Sequence, residues 1–107
     1  MTPAHFRQLA LGFPEALESA HMSHPDFRVG GKIFATLGYP DEEHGMVVLP
    51  AEEQKQLIKS HPKIFAAAKG AWGKQGSTTV RLARVDKATL RSVLETAWRN
   101  KAPKKLL

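Results

Sequence analysis

The chain contains no cysteine, which excludes disulfide staples, thiolate metal sites and thiol nucleophiles and fits a reducing compartment. It has no apolar run near the roughly eighteen residues that a membrane-spanning helix needs. Its N-terminus, Met1-Thr2-Pro3-Ala4-His5, lacks a basic segment followed by an apolar one, so no secretory leader is expected. A cytoplasmic protein without membrane contact is the expectation. No sequence period repeats and no Pro- or Ser-rich linker interrupts the chain, which predicts one domain over residues 1–107. A chain of this length buries roughly 65% of its unfolded surface and holds a core without staples.

Acidic residues are scarce in the second half. Residues 1–60 carry a formal charge of −3, whereas residues 61–107 carry +9 and hold only Asp86 and Glu95 as acids. A surface so polarised attracts polyanions at range. A solubilising charge with a frayed basic tail over residues 102–107 accounts for the same numbers.

What is present is organised around Pro25–Leu37. Phe27, Val29, Ile33, Phe34, Thr36 and Leu37 suit a pleated, half-buried surface. Gly30-Gly31 supplies the positive φ of a two-residue hairpin turn, giving arms near 26–29 and 32–38. Upstream, Thr2 caps and Pro3 opens a helix carrying Phe6, Leu9 and Ala10 on one face, and Gly12 ends it. The segment 14–23 fits either a helix or an edge strand, and the bracketing Pro14 and Pro25 favour the strand.

Met46–Leu49 reads as a central strand. Pro50, Glu52 and Glu53 start a helix that points Leu57 and Ile58 inward and stops near Ser60. Ile64–Ala68 is a short apolar segment. Residues 77–85 alternate as a half-exposed strand, with Thr78, Val80 and Leu82 on one face. Asp86 caps the last helix, where Leu90, Val93, Leu94, Ala97 and Trp98 form one apolar stripe before Pro103 ends it. Helices packed on an antiparallel sheet make a two-layer α+β domain.

Chemistry-bearing patterns are few. His21 and His24 stand three apart, but no further ligands are arranged near them for a zinc site, so they read as surface histidines in a turn. The glycine-rich stretch 69–76 suggests a phosphate cradle, yet Gly73-Lys74-Gln75 lacks the hydroxyl and the spacing of a P-loop. Trp72 within it reads as a core anchor rather than an exposed platform, since tryptophan is mostly buried. The acids of 41–43 and 52–53 are explained by a turn and a helix start, and no nucleophile–base pair stands out. No enzyme activity, metal or cofactor is expected.

Three blocks carry a family resemblance. Pro25–Ala35, with Phe27, Gly30, Gly31 and Phe34, is similar to the central motif of the MmcQ/YjbR family. Gly70-Ala71-Trp72-Gly73, with Gly76 and Val80-x-Leu82, and the closing Ala97-Trp98-Arg99 agree with it. The resemblance covers essentially the whole chain. It implies a secretion-chaperone-like order of helix, three strands, helix, two strands and helix, and it brings no catalytic residues. Longer members have a His-Trp-Asn-like stretch where this chain has Ala71-Trp72-Gly73.

Family members are described as DNA-binding, with a wing-like use of the sheet and its loops. The phosphate-contacting candidates here are Arg28 and Lys32 beside the hairpin turn, Lys69 and Lys74 in the glycine loop, and Arg81 and Arg84 on the late strand. The expectation is weak, salt-sensitive, non-enzymatic DNA binding by a monomer or weak dimer. The alternative is a protein-interaction or chaperone-like module that uses an exposed sheet face. Helix-turn-helix, zinc-finger and RNP-like aromatic signatures are absent.

Overall fold

The computed structural model describes residues 1–107. The Thr2 side chain accepts the amide of His5 at 3.1 Å and starts α1 (Pro3–Leu11), whose Phe6 and Ala10 are buried. Four strands follow: β1 (Leu17–His21), β2 (His24–Val29), β3 (Lys32–Leu37) and β4 (His44–Val48). After α2 (Ala51–Ser60) come β5 (Phe65–Ala67), the single-turn α3 (Ala71–Lys74) and β6 (Ser77–Arg81). The Asp86 carboxylate accepts the amide of Thr89 at 2.7 Å and caps α4 (Lys87–Lys101). A 3₁₀ turn, Lys104–Leu106, closes the chain.

All six strands join one antiparallel sheet in the order β1-β2-β3-β4-β6-β5. This is the expected α+β architecture, with β4 central. One more strand precedes α2 than the helix, three strands, helix scheme allows, because segment 17–21 pairs fully with β2. The hairpin turn forms where expected: Gly30 and Gly31 have φ of 58° and 80°, the positive values a type I′ turn requires.

Register sorts the side chains onto two faces. Phe27, Ala35, Val47 and Thr78 stand side by side across four strands and are all fully buried. They meet α1 and α4, which supply Phe6, Leu90 and Leu94, also fully buried. Trp98 lies at the edge of this core, 5% exposed. Its indole N–H donates to the Pro14 carbonyl at 3.0 Å, and its ring stacks on Phe13. The other row, Ser19, Asp26, Thr36, Met46, Thr79 and Ala66, faces away from these helices.

Several local expectations are corrected. Trp72 is not a core anchor: it is 66% exposed. The buried position in α3 goes to Gly73, where a Cβ would stand 1.9 Å from the Ala68 carbonyl oxygen. Backbone packs directly on backbone there, and the neighbouring indole is turned outward. The glycine stretch is thus partly helical rather than a loop. Residues 77–85 are a strand only as far as Arg81, since the amides of Arg84 and Val85 bond back to the Arg81 carbonyl. Thr78, Val80 and Leu82 are nonetheless all buried, as their alternation implies.

In α2 the fully packed side chain is Gln54, with Leu57 and Ile58 only half-buried. The Gln54 amide donates to the carbonyls of Gly73 at 3.0 Å and Ser77 at 3.2 Å. The C-terminal tail is docked rather than frayed. Pro103 lies against the hairpin turn, where a Cβ on Gly30 would meet its Cδ at 2.9 Å, and Leu106 packs at the core's margin.

Candidate functional site

Two regions of the surface carry the chemistry. The first is the end of the sheet where the β2–β3 turn lies. Val48 pairs with Ser77 and Ala67 with Thr78, so α3 and the start of β6 come to the same end as Lys32. Lys32, Lys69 and Lys74 are exposed there. The tail docked on Gly30 adds Lys104 and Lys105, also exposed. Glu52 and Glu53 open α2 at this end too, and Glu52 faces Lys55 at 4.0 Å.

The other basic candidates lie elsewhere. Arg81 pairs with His44 at the opposite end of the sheet, and Arg84 sits in the turn that follows. Asp41 is close to both His44 and Arg81. Its carboxyl is held below the usual range, chiefly by the His44 hydrogen bond at 2.8 Å and also by the Glu43 amide at 2.9 Å. Arg28 stands on β2 but is engaged: its Nε donates to Asp26 Oδ1 at 2.8 Å and a terminal nitrogen donates to Oδ2 at 3.1 Å. The six candidates therefore divide into a lysine group at the hairpin end, an arginine pair at the far end, and one arginine closed on a carboxylate.

The second region is the sheet face away from α1 and α4. A concavity of about 540 Å³ lies on it. Ile33, Met46 and Val48 form its apolar floor, and Trp72 and Met22 stand at its margins. Met22 is 87% exposed. Polar groups converge on the same space: His21, His24, Thr36, Tyr39, Gln75 and Lys101. The Thr36 hydroxyl is buried and has no hydrogen-bond partner, which is rare for such a group.

Asp26 organises one side of this face. Its carboxylate is fully buried and accepts three hydrogen bonds, two from Arg28 and one from His21 Nδ1 at 2.8 Å. The Arg28 hydrogen bonds hold its carboxyl below the usual carboxylate range; burial opposes them and the His21 contact assists. The Asp26 charge is thus compensated within the protein, as a buried carboxylate requires. No three His, Asp or Glu side chains come close enough together to share a metal ion.

Sequence reasoning gave Asp26 and Thr36 no role beyond the strands they lie in, and it set a metal site aside to read His21 as a surface histidine in a turn. A signal was present for the first: Asp26 and Arg28 are two apart in a strand and must share a face. An acid amid strand-forming residues calls for such a partner. Nothing local marks the Thr36 hydroxyl as unpartnered, because that depends on what neighbouring strands offer.

No helix is long and apolar enough to cross a membrane. A family model described as YjbR matches residues 11–100. The fold is similar to the crystal structure of the Deinococcus radiodurans protein DR2400, a DUF419 domain, with a TM-score of 0.77 at 20% identity. That likeness covers 91% of this chain and 75% of the other. No curated protein matches the chain. With the family model spanning all six strands and most of α4, the chain belongs to the YjbR family.

Proposed function

We propose that this YjbR-family chain is a non-enzymatic DNA-binding protein that contacts phosphates through the hairpin end of its sheet. The observation that carries this reading is the gathering of Lys32, Lys69 and Lys74 with Lys104 and Lys105 of the docked tail. These lysines come from three separate segments of the chain, and all are exposed. Phosphate contacts need cationic side chains and nothing of base sequence, so binding is sequence-independent and weak. Arg81, close to Asp41, and Arg84 in the turn that follows lie at the other end of the sheet and have no part in the contact.

Salt dependence tests the reading. With about four phosphates neutralised, log K falls with log salt at a slope of about −3.6, and raising salt from about 50 to 200 mM weakens binding on the order of 100-fold. Fluorescence anisotropy with a labelled duplex measures this directly. The double variant Lys32→Ala/Lys74→Ala shallows the slope, whereas Arg81→Ala/Arg84→Ala leaves it unchanged. Absence of binding at low salt, or a slope that responds only to the arginine pair, overturns the proposal.

The exposure of Trp72 and Met22 at 66% and 87% favours a second reading, a protein-interaction module on the open sheet face. Under it, Trp72→Ala abolishes complex formation and the lysine variants do not. Sedimentation of the free chain distinguishes a monomer from a weak dimer.

A further inference from the structure

We infer that the concavity on the open sheet face is a binding site for a small planar amphipathic monoanion, an aromatic carboxylate by class. The inference is independent of DNA binding, since the concavity contains none of the candidate phosphate contacts. Its volume of about 540 Å³ lies within the range of small-molecule sites, which combine an apolar lining with a few convergent polar groups. Ile33, Met46 and Val48 offer an apolar floor and Trp72 an exposed ring at the edge. A flat aromatic body gains an offset-stacked or edge-on contact with an indole ring.

Charge selects the anion. Lys101 lines the concavity, and no aspartate or glutamate does. The nearest acid on this face, Asp26, is fully buried and closed by Arg28 and His21. With Nδ1 of His21 committed to Asp26, its remaining ring nitrogen is left for a ligand. A single lysine against a largely apolar lining suits one negative charge on an apolar body, and it suits a phosphate-rich ligand poorly.

The second, independent observation is Thr36. Its side chain lines the concavity, the residue is 4% exposed, and its hydroxyl has no partner in the protein. A buried hydroxyl without a partner is costly, and a hydroxyl can donate to a carboxylate oxygen. A ligand anion reaching it would turn an orphaned donor into a charge-assisted hydrogen bond.

The test is an amide-and-indole NMR titration of the full chain with 2-naphthoate as probe, beside its neutral and cationic counterparts 2-naphthalenemethanol and 2-naphthylmethylammonium. The expected result is saturable shifts at the Trp72 indole and the Thr36 and Met46 amides. The Trp98 indole, held to the Pro14 carbonyl outside the concavity, serves as an internal control and stays in place. Naphthoate binds about tenfold or more tightly than the alcohol, the weight of one charge-assisted hydrogen bond, and the ammonium binds weakest. Lys101→Ala reduces the preference for the acid, and Thr36→Val weakens naphthoate about tenfold while the spectrum stays dispersed.

Equal binding of acid and alcohol, shifts at both indoles, or no saturation at millimolar probe overturns the inference. So does a Trp72 signal that moves on diluting the protein and not on adding probe, since a second copy of the chain then covers this face.

Discussion

Replacing Thr36 by valine should stabilise the protein, although it removes a polar group from a β-strand where most substitutions do harm. Thr36 is the penultimate residue of β3, paired with Asp26 on one side and Met46 on the other. It is 4% exposed and its hydroxyl has no partner. Folding strips that hydroxyl of water and returns nothing, a penalty of about 1–3 kcal/mol. Valine has nearly the same shape, exchanges the hydroxyl for a methyl group, and favours a strand at least as well.

An increase of about 1–2 kcal/mol is expected. For a domain of this size that is a rise in Tm of roughly 4–12 °C. Urea unfolding followed by far-UV circular dichroism and a thermal scan measure it independently. The m-value should be unchanged, since the exposed surface is the same. A variant less stable than the parent would show that the hydroxyl is satisfied in solution, and it would remove one of the two supports for the ligand site.

Other expectations follow from single features. Leu94→Ala, in a fully buried position on α4, should cost about 2–5 kcal/mol in a denaturant titration, and a loss below about 0.5 kcal/mol would remove the stripe from the core. Gly73→Ala should be far more damaging than Gly31→Ala. Its methyl would meet the Ala68 carbonyl oxygen at 1.9 Å, whereas at Gly31 nothing lies within 4 Å and only the φ of 80° opposes the change; equal losses would refute the packing argument. Asp26 has its folded pKa depressed, with Arg28 the main cause. Its contribution is therefore present above the unfolded carboxylate pKa of about 3.9 and lost as pH falls through the lower folded value. Asp26→Asn should flatten the decline in stability below about pH 4, and an unchanged acid limb would show that other carboxylates dominate.

The elements whose residues state their own periodicity were legible in the chain itself. The stripe from Leu90 to Trp98 with Asp86 before it, the Gly30-Gly31 turn, and the buried alternation of Thr78, Val80 and Leu82 depend on helix and strand geometry alone. So does the antiparallel two-layer character that follows from a hairpin between helices. The blocks that resemble the YjbR family overlap these segments at the hairpin, at Val80 and Leu82 and in the last helix, and add the Gly70–Gly73 stretch, whose local structure was not legible.

Tertiary structure decided everything that depends on which distant backbone lies alongside. Trp72 is exposed because Gly73 is pressed against Ala68, a contact between segments that no local pattern encodes. The lysines of the tail join Lys32 because Pro103 seats on Gly30, and Arg81 is carried to the opposite end because β6 runs antiparallel to β4. The Thr36 hydroxyl is orphaned by what β2 and β4 fail to offer it. Local sequence sets backbone preference and side-chain alternation, but partners for polar groups and the grouping of charges are set by strand order and register.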